Sequence, residues 1–93
     1  MYKLWAKKIK NNKIISSLNI KNDENLSPLE KREKCFKEIC QKFDISVPLW
    51  LSKHNFEFNE FKYVTFYPND FIDEIDFDKL EIEMIDDGKK NKK

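Results

Sequence analysis

The sequence of 93 residues has one glycine, three prolines, one histidine, one arginine and two cysteines. Each scarcity closes off a class of protein. A lone glycine, Gly88, leaves no glycine-rich loop to cradle phosphate groups. So few turn residues also argue against a sandwich or barrel of many short strands. No stretch approaches the roughly eighteen apolar residues that a membrane-spanning helix requires. The first ten residues lack the apolar core of a secretory signal, so a cytoplasmic location is expected. Cys35 and Cys40 fall within one predicted helix. At about 100° per residue they stand roughly 140° apart around its axis and do not pair with each other. Two cysteines and one histidine make no zinc site of standard spacing, and no metal or cofactor is implied. Buried free thiols are the expected state. Arginine is the usual bidentate reader of phosphate and guanine, and Arg32 alone is available for that work.

What is present is charge, and it is sorted along the chain. Residues 1–55 carry a net +6, residues 56–88 a net −9, and the last five residues a further +4, within a total of +1. The acidic block contains Phe56, Phe58, Phe61, Tyr63, Phe66, Tyr67, Phe71 and Phe77. With 40% apolar and 14% aromatic residues, the chain can build one core in one domain. The abundance of Lys, Asn and Ile fits an AT-rich genome.

Local patterns divide the chain into six elements. Tyr2, Leu4 and Ala6 alternate with Lys3, Trp5 and Lys7, which predicts a strand over 2–10. A second strand over 13–20 has Ile14, Leu18 and Ile20 on one face. Asn11-Asn12 between them suits a tight hairpin, because Asn tolerates positive φ. Ser27-Pro28-Leu29-Glu30 has the spacing of a capping box with Pro at the first helical position. The helix that follows, to about Lys42, carries a stripe of Leu29, Phe36, Ile39, Cys40 and Phe43, with Cys35 at its edge. A second helix is predicted from Pro48, on the stripe Trp50, His54, Phe58 and Phe61. Phe56 lies off that stripe, which leaves a strand at 56–58 as the competing reading. Residues 62–67 read as a strand, 68–70 as a turn, 71–78 as undecided, and 80–85 as a strand with Leu80, Ile82 and Met84 on its dry face. The predicted fold is α+β: a small antiparallel sheet with two helices packed on one face, in the order β-β-α-α-β-β, over residues 1–87. Residues 88–93 are expected to form a disordered basic tail.

The stretches Phe43–Leu51 and Phe71–Ile82, with the Tyr2-Lys3-Leu4-Trp5 start, resemble a group of short proteins from AT-rich Gram-positive bacteria with no known activity. The resemblance implies an intact small cytoplasmic protein and carries no site residues.

No constellation for an enzyme is legible. His54 has no nucleophile motif around it and sits beside Trp50 on an apolar stripe, where packing is the ordinary role. Asp76-Phe77-Asp78 lacks the glycine and glutamate spacing of a calcium loop. The expected role is therefore binding a macromolecular partner, most simply a protein. The candidate contacts are Glu57, Glu60, Asp70, Asp73, Glu74, Asp76, Asp78, Glu81 and Glu83, with the aromatics as anchors. A sharper form is imitation of a phosphate backbone by these carboxylates, as in a phage or mobile-element inhibitor of a nucleic-acid enzyme such as a host-defence nuclease. The alternative is single-stranded nucleic acid held by Lys3, Trp5, Lys7, Lys8 and Lys10 on the N-terminal hairpin, through phosphate contact and stacking.

Overall fold

Asn11 and Asn12 adopt φ of 54° and 65°, a conformation that asparagine reaches at little cost. They close a hairpin between β1 (Tyr2–Lys10) and β2 (Lys13–Asn22) in a computed structural model that describes residues 2–87. The tail expected at 88–93 lies outside the described residues. Pairing of β1 and β2 runs from Lys10↔Lys13 to Tyr2↔Asn22, with one irregularity. Lys8 faces Ser16 but Ile9 faces Ile14, so Ile15 is an extra residue in β2. Because side chains alternate with a period of two, this bulge reverses the facing of everything beyond it. Ile14 therefore does not share the face of Leu18 and Ile20, as its spacing suggested. It stands with Ile9 and remains 52% exposed.

The capping box forms as read. Ser27 Oγ accepts the Glu30 amide at 3.2 Å, and Glu30 Oε1 accepts the Ser27 amide at 3.1 Å. It starts α1 (Pro28–Phe43), which ends where Asp44 turns into the left-handed region at φ 57°. Cys35, Phe36, Ile39, Cys40 and Phe43 are buried. Cys35 is thus inside the core rather than at its edge. Leu29 is half exposed instead of buried, since burial along α1 begins only at Cys35.

The second helix, α2 (Ser52–Phe61), begins four residues after Pro48. Tertiary bonds explain the delay. The Leu49 amide is taken by the Asp70 carbonyl at 2.9 Å, and the Leu51 amide by His54 Nδ1 at 2.9 Å, which caps the helix. Trp50 consequently precedes the helix. His54 and Phe58 are buried, whereas Phe61 is exposed. Residues 56–58 are helical, so the competing strand does not form. Lys62 ends α2 at φ 64° and shortens the next strand, β3, to Tyr63–Phe66. A single 3₁₀ turn follows at Pro68–Asp70, and the chain returns as β4 (Lys79–Asp87).

The sheet is antiparallel throughout, in the order β2-β1-β4-β3. Cross-strand partners put Leu4, Ala6, Ile20, Val64, Phe66, Leu80 and Ile82 on one face, and all seven are buried. Phe66 is the hub of this layer. Its ring lies 5.3 Å from Phe36 of α1, 5.3 Å from Trp50 and 4.5 Å from His54 of α2. The two helices therefore cover the same face. The other face carries Lys3, Trp5, Lys7, Tyr63, Thr65, Glu81 and Glu83.

Candidate functional site

The segment between the 3₁₀ turn and β4 is irregular but pinned. Phe71 and Phe77 are both buried and meet edge to face with ring centres 6.0 Å apart. Burying two phenyl rings is worth on the order of 2 kcal/mol each and favours keeping the two ends of the loop against the core. Between these anchors Ile72 is 80% exposed, and Asp73, Glu74 and Asp76 are exposed as well. The carboxylates of Asp73, Glu74 and Asp76 have no ion pair among the described residues.

This loop forms one wall of an open hollow of about 630 Å³. The opposite wall is the end of α1 and the chain just after it, with Phe43, Asp44, Ile45 and Ser46. Lys8 enters from the sheet, its ammonium 5.2 Å from the Phe43 ring and 5.1 Å from the Phe77 ring. One cation held against aromatic faces thus shares the hollow with four acidic residues, Asp44, Asp73, Glu74 and Asp76, without an ion pair to any of them. Asp44 was missing from the acidic set read in the sequence. Its signal was local: a residue ending a helix in the left-handed conformation turns the chain, here back toward the loop.

The remaining carboxylates have other work. Asp70 is not surface at all: only 6% exposed, it is a correction to the expected contact set. It is buried because its Oδ2 accepts the Tyr67 amide at 2.9 Å and lies 3.3 Å from His54 Nε2. Lys53 stands 3.8 Å from its other oxygen. Asp78 staples the first hairpin, its Oδ2 accepting the Asn11 amide at 2.8 Å while its own amide donates to the Ile9 carbonyl at 2.8 Å. Glu81 and Glu83 each lie 3.1 Å from Lys7 Nζ. Glu57 accepts the amide of Thr65 at 3.4 Å and so occupies an outward donor of edge strand β3. Glu60 is exposed on α2.

Of the five residues of the alternative nucleic-acid reading, Lys3, Trp5 and Lys7 share one face of the sheet, and Lys8 does not join them. The Lys7 ammonium lies 4.0 Å from the centre of the Trp5 indole. Lys7, however, is only 6% exposed and is neutralised by its two glutamates. Burial pulls its pKa down, but the hydrogen bonds to Glu83 and Glu81 and their charges outweigh this and leave it raised. Lys8 points to the opposite, aromatic side, and Lys10 is exposed beside the hairpin turn.

His54 is buried to 1% exposure, with Nδ1 spent on the Leu51 amide and Nε2 directed at Asp70. Both cysteines are buried and free, and burial pushes each thiol up to about 11. No group of three or more His, Cys, Asp or Glu among the described residues is placed to hold a metal ion. No helix among them is long and apolar enough to cross a membrane. No family model matches this chain, and neither a curated protein nor a solved structure matches it.

Proposed function

We propose that this chain is a small, non-enzymatic binding protein that engages a basic face of a macromolecular partner with the loop between Phe71 and Phe77. One observation carries the reading: an isoleucine at 80% exposure next to carboxylates that have no ion pair among the described residues, on a loop fixed at both ends by buried aromatics. An exposed apolar side chain ringed by charge, on a loop that does not have to be ordered on binding, is how a compact anchor gains affinity. The carboxylates supply steering toward a positive surface. Asp73, Glu74 and Asp76 are the principal charges of this face, with Asp44 lining the same hollow. The finer form is occupation of the basic groove of a nucleic-acid enzyme in the cytoplasm by an inhibitor of phage or mobile-element origin. Counting against the single-strand alternative are the neutralised Lys7 and the separation of Lys8 from Trp5.

The test is capture from a lysate of the organism that encodes the chain, with wild type and an Asp73→Lys, Glu74→Lys, Asp76→Lys variant as baits. Wild type should retain one dominant partner, and the variant should release it. Retention by both would show that the acidic loop is not the interface. Titration of a labelled single-stranded oligonucleotide at about 50 mM salt addresses the alternative, since phosphate contacts strengthen as salt falls. No salt-sensitive binding is expected.

A further inference from the structure

Arg32, the one arginine of the chain, has a setting that the acidic loop does not explain. Its guanidinium carbon lies 4.2 Å from the centre of the Trp50 ring, and one of its N–H groups donates to Asn55 Oδ1 at 2.9 Å. These two contacts fix the plane of the fork. The group is half-buried, and that burial lowers its pKa from the ordinary guanidinium value. Yet no carboxylate among the described residues comes within ion-pair distance of it. A guanidinium has five N–H donors, and a desolvated one without a counter-ion is held at a cost.

A hollow of about 400 Å³ opens beside it, between α1 and the extended chain at 47–50. Phe36, Val47 and Pro48 give it apolar walls, and Lys37 adds a second cation one helical turn from Glu33. Trp50 Nε1 is buried without an acceptor among the described residues. The volume falls within the roughly 300–1,000 Å³ of small-molecule sites.

We propose that this hollow binds a small organic oxyanion, a carboxylate or phosphate carried on an apolar group. The oxygens take the free N–H groups of Arg32 in the paired geometry that a guanidinium favours. Lys37 contributes charge, and the apolar part lies against Val47 and Pro48. Glu33 on the rim opposes a polyanion, so the site suits one oxyanion rather than a nucleic-acid backbone.

The experiment is a titration of isotopically labelled protein with benzoate and, separately, phenyl phosphate, with benzyl alcohol as the uncharged control. The side-chain N–H signals of Arg32 and the indole N–H of Trp50 are followed, with the indole of Trp5 as internal reference. At least one anion should give saturable shifts with a Kd on the order of 1 mM, and the stronger anion identifies the preferred headgroup. Arg32→Lys, which keeps the charge and loses the fork, should weaken binding about tenfold. Lys37→Gln, at an exposed position, should weaken it a few-fold and serves if Arg32→Lys loses amide dispersion. The proposal is overturned if neither anion saturates, if benzyl alcohol gives the same shifts, or if both folded variants bind as wild type.

Discussion

His54 Nε2 lies 3.3 Å from Asp70 Oδ2, with both side chains almost wholly withdrawn from water. Nδ1 accepts the Leu51 amide at 2.9 Å, which requires a bare nitrogen there and assigns the ring proton of neutral His54 to Nε2, facing the carboxylate. Asp70 in turn holds the Tyr67 amide through its side chain and the Leu49 amide through its carbonyl. The pair thus joins the start of α2 to the turn from which the acidic loop departs. Removing Asp70 strands the part-buried Tyr67 amide and takes away the carboxylate that the imidazole faces.

Asp70→Ala should therefore cost about 2 kcal/mol of stability, the range for leaving a buried donor unsatisfied. Asp73→Ala, three residues on and exposed, should stay within about 0.5 kcal/mol of wild type. Urea unfolding of the two variants makes the comparison, and equal losses would show that Asp70 is not a structural tie.

The loop separates stability from recognition. Phe77→Ala, at a ring only 4% exposed, should lower stability by about 3 kcal/mol. Ile72→Ala should leave unfolding within about 0.5 kcal/mol of wild type. It should weaken the captured partner at least about fivefold, the loss of one interface anchor. Isothermal titration with that partner reads the second effect.

Backbone conformation gives a third comparison. Lys62 ends α2 at φ 64°, where a side chain is disfavoured and glycine is not. Lys62→Gly should raise stability by about 0.5–1 kcal/mol despite its entropic cost in the unfolded chain. Ser27→Ala should lower it by about 1 kcal/mol through loss of the cap. Thermal unfolding of both variants tests the signs.

The thiols predict the alkaline behaviour. Cys35 and Cys40 are pushed up to about 11 from 9.0 by burial, so the folded chain holds these protons more tightly than the unfolded one. Their contribution is complete below pH 9 and is lost as pH rises toward 11. Lys7, also raised in the folded state, acts in the same direction above 10.5. Urea midpoints should be level from pH 7 to 8.5 and fall by pH 10.5. At pH 8 a disulfide reagent should label neither cysteine until the chain unfolds.

Much of the architecture could be read locally. The Asn11-Asn12 hairpin, the Ser27–Glu30 box and the apolar stripe of α1 depend on residues within a turn or two of one another, so their spacing contains the answer. The 3.6 period misplaced the start of α2, because Leu49 and Leu51 give their amides to Asp70 and His54 rather than to helical or solvent partners. The period of two misplaced Ile14, because one added residue inverts a face without changing composition.

The acidic block shows the same division. Its charge, its aromatics and its place in the chain are properties of the sequence alone, and so is the α+β class. Which carboxylates remain available is not. Glu83 meets Lys7 from 76 residues away, and Asp78 meets the Asn11 amide from 67. Asp70 goes inside with His54, leaving Asp73, Glu74 and Asp76 at the surface beside Asp44. Local periodicity determines which residues turn inward. Which charge meets which depends on strand order, because only folding brings β4 between β1 and β3.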